Sequence, residues 1–300
     1  MQANKVQEYH SYQWAKVKSF LHKTGTLYRQ NMLKDSSRRN YAIYTCSEHQ
    51  INSLLISWHN SIHPYADYIT LILDPEDRND QAAGLLLDEA IKRSAKSYLQ
   101  VSIQQDSDPE PEFYKSRQFT EVRRTYTSTL DIQEAIQTIP PIEYTKHYKA
   151  LSILNLRDWQ QHDPDYSRLA QRVYDDYRRV HTVNLPAPLD IRKWTELLQA
   201  DDIIQEGSYI AYSPHRDEIR GYALMHESEE ENCVELGWSD QGDVNGLRFS
   251  LVQQQLHHAW QQGYVCAEME VDNTDPKRMD LLTMLPFHSS PALITYQYRK

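Results

Sequence analysis

Glycine is scarce, with 8 residues in a chain of 300. Many nucleotide-binding loops need glycine to bring backbone N–H groups against phosphate. Any such loop here must therefore be degenerate. The sequence contains no GxGxxG, Walker A, GxSxG or HExxH motif, which argues against the dinucleotide-binding, P-loop, serine hydrolase and zincin classes. Cysteine is nearly absent. Cys46, Cys233 and Cys266 are odd in number and form no CxxC pair, the pattern of reduced thiols in a cytoplasmic protein. No stretch approaches the roughly 18 apolar residues of a membrane span, and the first residues lack the apolar core of a secretion signal. The expectation is a soluble protein with no membrane partner. Positive charge is also in deficit: Lys and Arg number 32 against 42 Asp and Glu, a net charge of -10. Phosphate backbones are repelled on average. The basic pairs Arg38-Arg39, Arg123-Arg124 and Arg178-Arg179 then read as solvated faces, and no nucleic-acid partner is expected.

What is present is an ordinary globular composition, 40% hydrophobic and 25% charged, sufficient for a buried core. At roughly 100–200 residues per domain, the length gives two domains. A pattern that occurs twice supports this. In the first half, 41–46, 51–58 and 68–73 are strand-like runs, followed by the turn 74–78 and a helix. That helix carries Ala83, Leu86, Leu87, Ala90 and Ile91 on one face, with Asp88, Glu89, Lys92 and Arg93 opposite. An alternating strand at 99–103, a short helix containing Phe113 and Tyr114, and a strand at 119–130 complete it.

The second half repeats the order with strands at 208–212, 219–225 and 232–238, a helix with Leu251, Val252, Leu256, Ala259 and Trp260 on one face, and strands at 267–271 and 293–298. An offset of 165 residues lays Leu86, Leu87, Ile91 and Ala95 on Leu251, Val252, Leu256 and Trp260. Coinciding stripes of this kind mark an internal duplication. Pro140 and Pro141 deny both helix and central strand, so the domains are expected at 1–137 and 143–300. Helices at 166–179 and 189–200 open the second domain, and 185–188 is a loop between helices rather than a domain linker.

A strand, a turn and a helix N-terminus together offer an anion free N–H groups and the positive end of a dipole. Here the turn runs from Arg78 through Gln81, Ala82 and Ala83 to Gly84. At this point the sequence resembles the GNAT (N-acetyltransferase) superfamily, whose pyrophosphate loop opens the central helix. Arg78, Gln81 and Ala83 fall on its Arg, first Gly and Gly/Ala positions, with Gln81 replacing the first glycine. The segment from Tyr114 to Phe119 resembles the family's Tyr-x-x-x-Gly-Phe signature, with Gln118 in place of glycine. In the second half Gly246 keeps the first loop glycine, while Asp243 and Arg248 depart from the pattern and Leu282 replaces the tyrosine before Phe287. An aspartate facing pyrophosphate would repel it.

The resemblance implies an α/β fold of two tandem GNAT-like domains, each a mixed, mostly antiparallel sheet flanked by helices. It implies an acyl-CoA-dependent N-acyltransferase, with acetyl-CoA as co-substrate and a small amine or metabolite as acceptor. Arg78, Gln81, Ala82, Ala83, Gly84 and Gly246 are its candidate cofactor contacts. Tyr114 is the candidate acid for the departing thiolate, and a packing role for its ring stands beside that. Glu235 is the candidate base, on the strand before the second loop; a solvated strand face is its other reading. No metal is expected: His59 and His63 are four apart, but outside a helix that spacing does not converge. A catalytically inactive scaffold that binds a ligand or protein partner is the alternative function. Apolar faces able to join two chains leave a homodimer open.

Overall fold

The computed structural model describes residues 5–47, 50–106, 110–139 and 150–300. In chain order these form β1 (Gln7–Glu8), α1 (Trp14–Lys23), α2 (Gln30–Lys34), β2 (Tyr41–Ser47), β3 (Gln50–Trp58), β4 (Ala66–Leu73), α3 (Asp80–Arg93), β5 (Tyr98–Gln104), α4 (Pro111–Lys115), β6 (Thr120–Asp131) and α5 (Ile132–Thr138). After them come β7 (Ser152–Asn155), α6 (Leu156–Trp159), α7 (Ser167–Val180), α8 (Ile191–Leu198), β8 (Tyr209–Ser213) and β9 (Glu218–Glu227). The chain ends with β10 (Cys233–Asp240), α9 (Leu247–Gln261), β11 (Cys266–Asp272), α10 (Pro276–Met284) and β12 (Leu293–Arg299). The second central helix starts only at Leu247, because β10 runs on to Asp240 and Gly246 holds a left-handed φ of 78° before the helix, a conformation glycine adopts without strain.

Two compact units result, Met1–Arg124 with Val183–Ala187 and Leu293–Lys300, and Thr125–Thr182 with Pro188–Ala292. They differ from the continuous stretches 1–137 and 143–300 in three places. β12, expected to close the second domain, is a strand of the first unit, pairing antiparallel with β5 from Leu293–Gln104 to Arg299–Tyr98. The far half of β6 belongs to the second unit, where Thr125 to Asp131 pair with β11. The stretch expected at 185–188 does lie between two helices, but its first three residues belong with 183 and 184 to the first unit: Tyr68 Oη donates to Asn184 Oδ1 (3.0 Å) and the Ala187 N–H to the Ile62 carbonyl (2.6 Å). Pro140 and Pro141 lie outside the described residues.

The strand order of the first unit is β1-β2-β3-β4-β5-β12-β6, and that of the second is β6-β11-β10-β9-β8-β7. Each is a mixed, mostly antiparallel sheet with one parallel pair, β4–β5 and β10–β11 respectively. β4 is buried along almost its whole length, as expected for a parallel strand covered on both faces. α3 packs on β2 and β3 through its stripe of Ala83, Leu86, Leu87 and Ala90. α1 supplies Val17, Phe20 and Leu21 to a core with Leu54, Ile56 and Ile72. α9 packs on β8, β9 and β10 in the same way, while α7 and α8 cover a second apolar cluster containing Trp159, Trp194 and Leu224.

Candidate functional site

Both parallel pairs part before their strands end. In the first unit the β4–β5 register stops at Ile69–Val101, although the strands continue to Leu73 and Gln104. In the second it stops at Glu235–Glu268, and β10 and β11 continue to Asp240 and Asp272. Parted strands leave backbone groups that need other partners. The two units satisfy this differently.

In the second unit the space between the strands holds a side chain. Arg278 of α10 donates through Nη2 to the carbonyls of Leu236 (2.8 Å) and Gly237 (2.7 Å). Successive carbonyls of a regular strand point to opposite sides. Two that converge on one guanidinium therefore register the irregularity between Leu236 and Ser239 in the pairing with β9. Beyond this point lies a cleft of about 150 Å³ lined by residues of α7, β9, β10, β11 and the starts of α9 and α10. Asp240, 1% exposed, follows Ser239 of the lining and is bonded to its arginines. It accepts from Arg172 Nη2 (2.7 Å), Arg179 Nη2 (2.8 Å) and the Gly242 N–H (2.6 Å), with Arg248 Nη2 at 3.4 Å. Burial alone would raise the Asp240 carboxyl, but the Gly242 N–H and the arginines hold it below its ordinary value. Asp176 sits between Arg172 (3.0 Å) and Arg179 (3.3 Å). There burial, and after it the Asp240 charge, push its carboxyl up to about 6. The pair thus shares its protons unequally: Asp240 keeps the charge and Asp176 keeps the proton longest.

Glu235 is the last residue of β10 paired with β11 and is half-buried, while Val234 and Leu236 point into the core. Gly246 precedes α9, but the loop around it is arranged for ion pairs. Asp243 is bonded to Arg220 and Arg248 is turned inward to 2% exposure.

In the first unit the expected loop is in place. α3 begins at Asp80 with Asn79 as its cap, and Asn79 Oδ1 accepts the Ala82 N–H (2.9 Å). The Ala83 N–H goes to the Asn79 carbonyl (2.9 Å). Of the expected backbone donors, Ala82 and Ala83 are therefore already engaged, and the N–H groups of Asp80 and Gln81 head the helix. Arg78 Nε pairs with Asp80 (2.9 Å), both side chains well exposed, so the first-turn carboxylate is partly neutralised.

Arg117, which the sequence reading passed over, reaches this helix start. It lies over the Phe113 ring (4.0 Å to the centroid), donates to the Phe113 carbonyl (3.1 Å), and brings Nη2 to 3.5 Å from the Asp80 carbonyl. Gly84 permits that approach: a Cβ there would stand 2.7 Å from Arg117 Nη2. A small residue one turn into a helix was the available signal. Arg78 also lines an open groove of about 620 Å³ with Lys115 and Arg124 and the carboxylates of Asp106, Glu110 and Glu112. Tyr114 is fully buried, its ring edge-on to Phe113 and Phe119 and stacked on Tyr296 at 6.1 Å. Tyr114 and the α3 loop thus share the first unit, whereas Glu235 and Gly246 belong to the second.

Among the described residues no helix is long and apolar enough to cross a membrane. No protein-family model matches the sequence, and no curated protein matches it. Solved structures do match. A GCN5-related N-acetyltransferase from Sphaerobacter thermophilus aligns over 100% of this chain and 96% of its own, with a TM-score of 0.62 at 12% identity. A tandem GNAT protein from the clavulanic acid biosynthesis pathway covers 99% and 98%, with a TM-score of 0.58 at 11% identity. A GCN5-related glucosamine N-acetyltransferase region of a fungal multi-domain GH3 β-N-acetylglucosaminidase covers 99% of this chain and 38% of that one, with a TM-score of 0.68 at 9% identity. The chain has the tandem GNAT fold.

Proposed function

We propose that the chain is an acyl-CoA-dependent N-acyltransferase for a small amine, with acetyl-CoA as the acyl donor held by the first unit. The observation that carries this reading is the pair of guanidiniums, Arg78 and Arg117, at the start of the helix that follows the β4–β5 opening. A pyrophosphate there would meet two cations, the positive end of α3 and the N–H groups of Asp80 and Gln81. The plug of the second unit has no equivalent. Pro111 and Pro276 each open their helix, and counted from that start Phe113 stands where Arg278 does. A phenyl ring has no donor for strand carbonyls.

In the reaction the acceptor nitrogen attacks the thioester carbonyl, the C–S bond breaks, a base takes the ammonium proton and the thiolate is protonated. Tyr114 serves as that acid where the thioester sulfur reaches its buried hydroxyl. Its complete burial favours the second reading, a scaffold of the same fold that binds a ligand without turnover. Glu235 lies in the second unit, away from a donor held by the first.

Calorimetric titration of the full chain with acetyl-CoA and free CoA separates the readings. Micromolar binding weakened by Gln81→Glu and Arg78→Glu, both exposed positions, supports the acyl-donor site. An amine screen with Tyr114→Phe then tests the acid, which should lose turnover and keep affinity. No binding of either compound sinks the acyltransferase reading and leaves the scaffold.

A further inference from the structure

We propose that the cleft between β10 and β11 of the second unit is a binding site for a small carboxylate, gripped by Arg248 and Arg278. This inference is independent of the acyl-donor site in the first unit. The Arg248 side chain is 3% exposed, yet its Nε and Nη1 make no hydrogen bond, and its carboxylate contacts, Asp240 at 3.4 Å and Asp275 at 3.8 Å, are long. Charge-assisted bonds run nearer 2.7–2.9 Å. The hydrogen bonds of Arg278 go to two neutral carbonyls, and its Nε is buried without one. Ser239 Oγ, also lining the cleft, is buried without one. Several unsatisfied donors on three side chains thus line one cleft.

The two guanidiniums are also close enough to oppose one another. Burial, and then the Arg248 charge, press the Arg278 pKa below its ordinary value. Two like charges in a low-dielectric interior call for an anion between them. The carboxylates of the lining only partly supply it. Asp176 is turned to Arg172 and Arg179, Asp272 accepts the Thr125 hydroxyl, Asp275 Oδ1 accepts the backbone N–H of Arg278, and Glu270 of β11 is the fourth carboxylate of the lining.

A carboxylate presents two oxygens to the planar fork of a guanidinium, and Val173, Val180, Tyr177 and Trp238 provide an apolar wall for a short chain. Size sets the upper limit. An apolar cavity of similar volume holds a benzene, so about 150 Å³ accommodates roughly six heavy atoms and no nucleotide.

The test uses the full chain and titrates acetate, propionate and glycine by calorimetry and Trp238-sensitive fluorescence, with sulfate at matched ionic strength as the control. Saturable binding of at least one carboxylate is expected, weakened about tenfold by Arg248→Met or Arg278→Met. Ser239→Ala, which changes no charge, should weaken it a few-fold and covers the case in which an arginine variant fails to fold. Glycine binding in place of acetate supports the site and adds an ammonium contact. Absence of binding by all three overturns the proposal, as do equal binding of sulfate and affinity indifferent to Ser239→Ala. Acquisition of acetyl-CoA binding by Arg278→Met, without carboxylate binding in the parent, overturns it too: Arg278 would then be only a plug.

Discussion

Replacing Asp176 by asparagine tests the charge arrangement under α7 in a way that opposes ordinary intuition. Removing one member of a buried ion pair usually costs about 3–5 kcal/mol, because the partner is left uncompensated. Here Arg172 and Arg179 both retain Asp240, at 2.7 and 2.8 Å. The carboxyl of Asp176 rises from 3.8 to about 6 in the folded protein. The whole environment therefore disfavours its charge, despite the arginines. For an acid whose folded pKa is raised, folding takes up a proton between the two values. Stability is greatest below the unfolded pKa, falls as pH rises from about 4 to 6, and stays lower above that. At 1.36 kcal/mol per pKa unit, the penalty above pH 6 is about 3 kcal/mol. Asp176→Asn keeps the shape and removes the charge. Urea unfolding followed by tryptophan fluorescence is suited to the measurement, since Trp159, Trp194, Trp238 and Trp260 all lie in the second unit. The variant should be more stable than the parent at pH 8 by about 1–3 kcal/mol, indistinguishable near pH 4, and lack the parent's decline between. A loss of stability at pH 8 on the scale of a broken ion pair would refute the reasoning, because it would mean that the arginines outweigh Asp240 and burial.

Two further substitutions probe the start of α3, where stability and affinity should move in opposite directions. Gly84→Ala adds a Cβ 2.7 Å from Arg117 Nη2, and the flexible guanidinium gives way. The unfolding midpoint should hold or rise, since alanine is better than glycine in a helix by about 1 kcal/mol, while calorimetry should show acetyl-CoA affinity reduced about tenfold for the lost cation. Asn79→Ala removes the cap that occupies the Ala82 N–H and should cost about 1 kcal/mol of stability. It frees that N–H for phosphate, so affinity should hold or increase; a parallel fall in both would show that Asn79 serves the ligand rather than the helix.

The parts legible in the sequence were those written in local periodicity. The stripes of α3 and α9 follow from a repeat near 3.6 residues, and their coincidence at one offset revealed the duplication. Strand partnership is not local. Nothing in 293–298 says whether it pairs with β11 or β5, since both placements bury the same alternate residues, and its exchange into the first unit emerges only in three dimensions. The same holds for Arg278. The run from Asp275 to Met279 has the polarity of an exposed helix start, yet the arginine is half-buried and turned onto the β10 carbonyls. One local signal does point to the buried charges. Arg172, Asp176 and Arg179 lie at i, i+4 and i+7 of α7, a charged stripe on one face that can be buried only against an opposite charge, and Asp240 is that charge.

One difference between the units lies at the third residue of the short helix. A donor-rich side chain at 278 satisfies the carbonyls that a parted strand leaves without sheet partners, so the second opening is complete without a ligand's amides. A phenyl ring at 113 supplies no such donor, and the first opening must find its hydrogen bonds elsewhere. Two consequences follow from the same chemistry. The arginine occupies the opening of its unit and, with Arg248, sets two cations on the cleft. The phenyl ring instead gives Arg117 a face to lie on at 4.0 Å, carrying a cation to the start of α3. Exchanging the two, Phe113→Arg with Arg278→Phe, should therefore abolish both properties: acetyl-CoA binding lost from the first unit and carboxylate binding lost from the second. Retention of either by the double variant would show that the determinant lies outside this pair.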